Sequence, residues 1–387
     1  GGTGDRFAYF TQFGSGNSYG FGPNGNLVYG IRETLLGSDK LTWEKSYKTN
    51  IGLEMMLWGK LNLTLDYYWE RRKDILIQRS SLPSMAGFDA SIYANMGEMD
   101  NKGVDANLEY QTRIGNKVGL RLFGNLTYSK NKIVFRDEPA MQYAYQKSEG
   151  TRYGEFYGYI AEGYFQSEEE IKKSPRQMRE LAPGDIKYKD LNDDGVIDAN
   201  DQCYLGKSWF PSWSYGMGFN INYHNFDLAL FFQGVSDVSI MANGGSIDTG
   251  NGDWGASGVG IVPFTGMGLN PSNVITKALD RWTADNPRAD AWYPRMTANA
   301  TTNDNNYVNS THWLKDGSYL RLKQASLGYT LENKKLMDKG IEYLYFYLSG
   351  QNLLTFSKFK LWDPELGSNG AKYPLSRMVT LGMRVSF

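Results

Sequence analysis

Histidine and cysteine are scarce here: two and one among 387 residues. The lone Cys203 has no partner for an intrachain disulfide, so the redox compartment cannot be read. His224 and His312 lie far apart in sequence, neither with a second residue at catalytic or metal-ligand spacing; His224 reads as a turn residue and His312 as a loop residue. No P-loop, paired Cys or HExxH occurs, so an enzyme has no constellation to rest on. No apolar run reaches the ~18 residues that a membrane-crossing helix needs. An excess of one charge is missing too: 41 Lys and Arg against 42 Asp and Glu give −1, which removes the electrostatic case for nucleic acid. The sequence has no initiating Met and no charged leader, and it opens G-G-T-G; that start reads as a processed product or a C-terminal fragment.

What is plentiful is aromatic and glycine: 27 Tyr, 19 Phe, 10 Trp and 44 Gly. With few helical patterns, this composition fits a large antiparallel β protein. The clearest strand is the last one. Val379, Leu381, Met383, Val385 and Phe387 alternate with Thr380, Gly382, Arg384 and Ser386, a period of two with one apolar and one polar face. The bland reading is the edge strand of a soluble sandwich. The other is a barrel-closing strand, because lipid-facing residues in a barrel are only every second one and escape hydropathy averages.

The same alternation recurs upstream. Asp5 to Phe13 reads as a short strand, followed by a Gly/Asn-rich stretch. Leu41 to Leu57 turns at Trp58-Gly59 into a strand from Leu61, and Val104 to Tyr110 turns at Ile114 to Asn116 into Val118 to Tyr128. Trp213 to Tyr223 turns at His224-Asn225 into Phe226 to Phe232, and Tyr319 to Leu331 is followed by Ile341 to Gln351. The count is ten strands, with an optional hairpin near Tyr153 to Phe165.

Short turns alternate with long connections: Gly14 to Lys40, Ser80 to Asn95, about 132–211, about 236–316, and Asn352 to Tyr373. Outer-membrane barrels have that parity, with short periplasmic turns and long extracellular loops. A sandwich has no reason to obey it. The expected fold is all-β, an antiparallel transmembrane β-barrel. Ten strands and two loops of this length suggest the C-terminal part of a wider barrel, the other part supplied from elsewhere.

One motif carries metal chemistry. Asp190, Asn192, Asp194, Asp198 and Asp201 fall at positions 1, 3, 5, 9 and 12 of an EF-hand-like loop. Gly195 takes the sharp-turn position 6, Val196 offers its carbonyl at 7, and Ile197 at 8 anchors the loop. Asp replaces the usual bidentate Glu at 12, and the flanks are not helical. The reading is a structural Ca2+ bracing the loop; the alternative is a solvated Asx-rich turn. Ser272 to Asp285 reads as a short helix packed on its own loop, and Glu168 to Lys173 as a solvated helical turn. Tyr143, Tyr145, Trp254, Trp292 and Tyr293 are loop aromatics that could stack on sugar rings or apolar peptide side chains.

Several longer stretches resemble one family. They are L-T-W-E-K-S-Y-K-T-N-I-G-L-E (Leu41 to Glu54), N-K-G-V-D (Asn101 to Asp105), P-G-D-I-K-Y-K-D-L-N-D-D-G-V-I-D-A-N-D (Pro183 to Asp201), Y-G-M-G-F-N-I-N-Y-H-N-F-D-L-A-L-F-F-Q-G (Tyr215 to Gly234), L-D-R-W-T (Leu279 to Thr283), Y-L-R-L-K-Q-A-S-L-G-Y (Tyr319 to Tyr329) and S-G-Q-N-L-L-T-F-S-K-F (Ser349 to Phe359). In this order they resemble the C-terminal barrel of SusC/RagA-like TonB-dependent outer-membrane transporters. The resemblance implies a barrel of about 22 strands around an N-terminal plug. It also implies a TonB box coupled to TonB-ExbB-ExbD and a SusD-like surface lipoprotein as lid. Such transporters belong to Bacteroidetes-type bacteria and import oligosaccharides or, in some cases, peptides. Plug and TonB box have no counterpart in these residues. The expected partners are therefore the N-terminal half of the same barrel, the lid lipoprotein, outer-membrane lipid and an oligosaccharide or peptide. The rivals are a passive porin, a calcium-dependent carbohydrate-binding β-protein and a surface hydrolase.

Overall fold

A computed structural model describes residues 7–22, 25–81, 90–115, 117–178, 180–243, 275–296, 305–338, 340–370 and 372–387. Its strands are β1 (Gln12–Phe21), β2 (Asn26–Leu36), β3 (Lys45–Leu57), β4 (Leu61–Gln78), β5 (Ser91–Ile114), β6 (Val118–Phe135), β7 (Glu155–Gly158), β8 (Ala161–Tyr164), β9 (Ile186–Tyr188), β10 (Cys203–Ser208), β11 (Trp213–Tyr223), β12 (Phe226–Ser236), β13 (Ser239–Met241), β14 (Leu314–Asp316), β15 (Tyr319–Leu331), β16 (Tyr343–Ser357) and β17 (Met378–Ser386). Eleven of them share one sheet, in which β3, β4, β5, β6, β11, β12, β15, β16 and β17 pair in that order. The six short strands form three separate pairs: β7 with β10, β8 with β9, and β13 with β14.

The chain divides into two compact units, 1–50 with 68–102 and 130–153, and 51–67 with 103–129 and 154–387. In the first unit, β1 and β2 form an antiparallel hairpin, and β2 meets β5 only through Leu35 and Leu36 in a short parallel contact. The strand ends there carry a ladder of charges. Arg71 donates to both oxygens of Asp100 at 2.6 and 2.7 Å, and Lys45 reaches Asp74 at 2.8 Å. Asp137 is buried and accepts from the Ser80 and Ser81 backbone N–H groups and the Ser81 hydroxyl.

In the second unit the register lines up like with like. Leu120, Ile221, Leu228, Leu327, Leu348 and Leu381 are consecutive partners across six strands. One residue along, the row is Gly119, Asn222, Asp227, Gly328, Tyr347 and Gly382; the next is Val118, Tyr223, Phe226, Tyr329, Phe346 and Met383. A pleated strand sends alternate side chains to opposite faces, so one face of this sheet is apolar and the other polar. The apolar face is open: Leu381 is 80% exposed and Val379 70%. Aromatics mark both of its ends. Tyr128 and Trp213 touch at one end, Phe226 and Tyr329 at the other, with ring centroids 4.5 and 4.7 Å apart. Trp213 and Tyr223 bound β11; at ~3.3 Å per residue and a tilt near 45° they stand ~23 Å apart in height. That is close to the ~25 Å height of an outer-membrane apolar band. On the polar face glycines make room for rings: a Cβ on Gly382 would lie 2.3 Å from the Tyr347 ring, and one on Gly328 2.2 Å from the Tyr345 hydroxyl.

The buried apolar core of this unit lies in the long connections rather than in the sheet. Phe156, Tyr164, Ile186, Tyr188, Ile197, Ile240, Met241, Trp282, Tyr293 and Trp313 pack together there. A buried polar network joins the same segments. Asp185 accepts from Arg295 and Asn306, Asn306 accepts from the Ile186 N–H, and Gln177 donates to Asn305. The buried amides and carboxylate are thereby satisfied, as burial requires.

Four expectations are corrected. The stretch after Phe13, expected as a loop, holds both strands of the β1–β2 hairpin, and among the described residues the short strand expected at Asp5 to Phe13 begins at Gln12. Glycines at 14, 16 and 20 leave no side chain to show the alternation. β4, β5 and β6 run past the sequence limits, to Gln78, from Ser91 and to Phe135. The optional hairpin near Tyr153 to Phe165 does not form, because β7 and β8 each pair with a later strand. The helix expected at Ser272 to Asp285 is, among the described residues, one 3-10 turn, Thr276–Leu279; Trp282 then exchanges backbone bonds with the Tyr293 segment. Glu168–Lys173 is the expected helical turn, capped by Ser167, with no buried residue.

Candidate functional site

The Asp190–Asp201 loop is organised by its own backbone. Asp190 Oδ2 accepts from Gly195 N–H at 2.8 Å, Asn192 Oδ1 from Asp194 N–H at 3.0 Å, and Asp194 Oδ1 from Val196 N–H at 2.8 Å. Asp198 Oδ1 accepts from Asn200 N–H at 2.7 Å. Asp201 is fully buried; its two oxygens accept from Leu191 and Asp198 N–H at 2.8 and 2.9 Å. Gly195 takes the turn position with φ +81°, a conformation a side chain disfavours. Ile197 is 1% exposed and joins the core, so the anchor expected at that position is present.

The donors are hard oxygens, the type Ca2+ takes. Asp190 Oδ1 is buried and accepts no hydrogen bond, the kind of orphaned acceptor that a cation satisfies. Among the described residues, however, no three His, Cys, Asp or Glu side chains stand close enough to hold a metal ion together. The carboxylates are turned to backbone N–H groups instead of to one centre.

The five aromatics part company. Tyr143 and Tyr145 stack on each other, centroids 5.2 Å apart and nearly parallel, each partly exposed. Trp292 is partly buried, edge-on to Tyr293 and Trp313, with the Lys315 ammonium 5.2 Å from its ring. Tyr293 is fully buried, so its expected role as a substrate platform is corrected: it has no surface to offer. Trp254 lies outside the described residues.

His312 is a core group. Its Nε2 lies 3.2 Å from the Trp292 carbonyl and 3.3 Å from the Tyr164 hydroxyl. Burial, with Lys315 nearby, pushes its pKa down to about 3, so it stays neutral. Burial likewise lowers Lys315 to about 8. His224 sits in the β11–β12 turn with φ 52°.

Two arrangements on the polar sheet face were not anticipated. Tyr345 donates to Asp227 at 3.0 Å across β15, and Arg121 pairs with Glu109 at 2.8 Å. At the other end of the sheet Arg321, 1% exposed, donates to both oxygens of Asp363 at 2.6 and 2.7 Å, while Tyr319 donates to Glu365 at 2.6 Å. The available signal was an Arg inside the apolar run of β15 and two acids two residues apart in the loop after β16. Nothing in their spacing links them.

Comparison with known proteins then places the chain. The TonB dependent receptor-like, beta-barrel family model matches residues 2–353. TonB-dependent receptor P3 of Formosa agariphila is 28% identical over 389 residues, covering 93% of this chain and 36% of that protein. TonB-dependent receptor SusC of Bacteroides thetaiotaomicron is 24% identical over 398 residues, covering 99% of this chain and 36% of that protein. In structure, the RagAB peptide importer in its closed-closed state superposes with a TM-score of 0.70 at 22% identity, over 98% of this chain and 39% of that one. The chain thus spans little more than a third of the length of these relatives. It belongs to the TonB-dependent receptor-like β-barrel family of the outer membrane, and its fold is SusC- and RagA-like.

Proposed function

We propose that residues 1–387 form the C-terminal barrel wall of an active importer of oligosaccharides or oligopeptides. The observation that carries this is the two-faced register from β6 to β17, apolar rows alternating with polar ones, in a chain of this family. The apolar face meets outer-membrane lipid; the polar face, with Asp227, Tyr345, Glu109 and Arg121, lines the lumen. A plug and TonB box from the preceding part of the protein would couple to TonB-ExbB-ExbD, and a SusD-like lipoprotein would close the long loops at 132–211 and 236–316. The resemblance to SusC favours that assembly, and the likeness to a peptide importer keeps both substrate classes. Tyr143 and Tyr145, which keep exposed surface, would stack on substrate, as would the partly buried Trp292.

A calcium ion held by Asp190, Asn192, Asp194, Asp198, Asp201 and the Val196 carbonyl fits the same picture as a brace for the 132–211 loop. The spare Asp190 Oδ1 supports it. Binding would require the carboxylates to turn inward from their present backbone partners.

Uptake of labelled oligosaccharides and of labelled peptides by cells carrying the full-length gene tests the reading. Accumulation that disappears on removing the TonB box is expected. Uptake that persists without it would make the protein a passive porin.

A further inference from the structure

The outward face of β4 changes character at one height. Its apolar-face residues run Leu61, Leu63, Leu65, Tyr67 and Trp69, and the same parity then continues into Arg71 and Lys73. At ~3.3 Å per residue and a tilt near 45°, Arg71 stands ~23 Å above Leu61. An outer-membrane apolar band of ~25 Å ends at that height, and head groups begin. Trp69 marks the boundary, as aromatic side chains do at a membrane interface. It is 44% exposed, and the Arg71 guanidinium lies 5.9 Å from its ring centroid.

The next two strands change in the same way. On β5 the parity of Val104, Ala106 and Leu108 continues through Lys102, Asp100 and Glu98. On β6 the parity of Leu126 and Tyr128 continues into Lys130 and Lys132. Ion pairs tie the first two strands together: Arg71 to Asp100 at 2.6 Å and Lys73 to Glu98 at 3.4 Å. One pair lies two residues up β4 and two residues down β5 from the other, so all four side chains share a face. Lys132 also acts through space on Asp100, which brings β6 into the same cluster.

Five cations, Arg71, Lys73, Lys102, Lys130 and Lys132, thus meet two carboxylates, Glu98 and Asp100, an excess of three positive charges. Lys45 nearby adds nothing to it, being matched by Asp74 at 2.8 Å. Arg71 directs its Nε and Nη2 at Asp100, while Lys102, Lys130 and Lys132 are exposed. A merely solvated strand end has no need of one sign. Lysines just beyond the hydrocarbon draw anionic head groups, and phosphate oxygens accept strongly from ammonium donors. β4 leads from here into the long connection to β5, so the leaflet at this height is the outer one.

We propose that the outward face of β4, β5 and β6 above Trp69 binds the phosphorylated headgroup of an outer-leaflet lipid. Lys102, Lys130 and Lys132 hold the phosphate, Arg71 and Lys73 add to the field, and Trp69 and Tyr67 pack on the apolar part of the lipid. The site rests on the outward-face assignment and lies apart from the lumen, so it adds a lipid partner to the importer rather than a step to import.

The test uses the full-length protein purified in detergent and stripped of lipid. It is mixed with diphosphorylated lipid A, or with the same lipid after removal of its phosphates, and bound lipid is counted by native mass spectrometry. The phosphorylated form is expected to stay bound and the dephosphorylated form to be lost. Lys102→Gln, Lys130→Gln and Lys132→Gln together should weaken retention about tenfold or more, whereas Arg at the same three positions should keep it. Lys60→Gln, at the short-turn end of β4, should leave it unchanged. Heat-modifiable migration on a gel checks that each variant is folded. Equal retention of the two lipids, or retention indifferent to the triple Gln variant, overturns the site. Displacement of the lipid by excess inorganic phosphate makes it a free-anion site and overturns the lipid assignment. A dimer that the triple Gln variant loses, without preference for the phosphorylated lipid, gives the face to a second copy of the chain and overturns it too. Each of these failures leaves TonB-dependent uptake, and with it the importer reading, untouched.

Discussion

Arg321 shows how a charge inside a strand finds its partner only in three dimensions. Its guanidinium is 1% exposed and is balanced by Asp363 and Glu365 from a loop some forty residues on. Removing one side of such a pair leaves the other without compensation. Arg321→Met is expected to destabilise the local structure by about 3 kcal/mol, the lower end for a buried pair because Asp363 keeps some solvent. The expected readout is faster amide exchange in residues 359–370 with little change in β11 or β17. The sequence shows Arg321 inside a strand and Asp363 and Glu365 in the loop after the next strand; the pairing is invisible because it depends on how that loop folds back. Tyr293 teaches the converse. Loop aromatics look alike in sequence, yet Tyr293 is sealed in the core while Tyr143 and Tyr145 keep surface.

Elements were legible where side chains alternate and illegible where glycine or tertiary pairing decides. β11, β12, β15 and β17 announce themselves by period two. The β1–β2 hairpin does not, because its glycines carry no pattern, and Gly22 and Gly25 adopt φ of +73° and +62° at its turn. The short strands β7, β8, β9 and β10 are set by partners far along the chain, so local pattern offers no purchase on them. The 190–201 loop was legible as a motif, and its Gly195 turn and Ile197 anchor are in place. With Ca2+ present, amide exchange across residues 188–201 should slow relative to the chelated protein. Asp190→Ala combined with Asp194→Ala should abolish that difference while the barrel remains assembled. Both substitutions also remove turn hydrogen bonds, so the calcium-dependent difference, not the absolute exchange rate, is the discriminating quantity. Equal exchange with and without Ca2+ in the unsubstituted protein would reduce the loop to an Asx-rich turn.

At the scale of the whole molecule, the parity of short turns and long connections points to a membrane barrel, and the register agrees with it. From β6 to β17, strands joined by short turns and by long connections alike set apolar residues opposite apolar residues, so that one sheet face is apolar from Leu120 to Leu381. What the sequence hid is that the long connections have a core of their own, built from Trp313, Tyr188, Ile186 and their neighbours. Those residues are spread over separate loops with no shared period, and only packing unites them. The central claim is therefore the assignment of faces, and site-directed spin labelling tests it most directly. In the full-length protein Cys203 is replaced by Ser; the native thiol is buried, and desolvation raises its pKa. Single labels are then placed at Leu230, Ala229, Leu381 and Thr380 in lipid bilayers. Labels at Leu230 and Leu381 are expected to be relaxed by oxygen dissolved in the lipid and shielded from a water-soluble nickel complex, and labels at Ala229 and Thr380 are expected not to be lipid-exposed. Nickel access at Leu230 and Leu381 with lipid exposure at Ala229 and Thr380 would contradict the assignment.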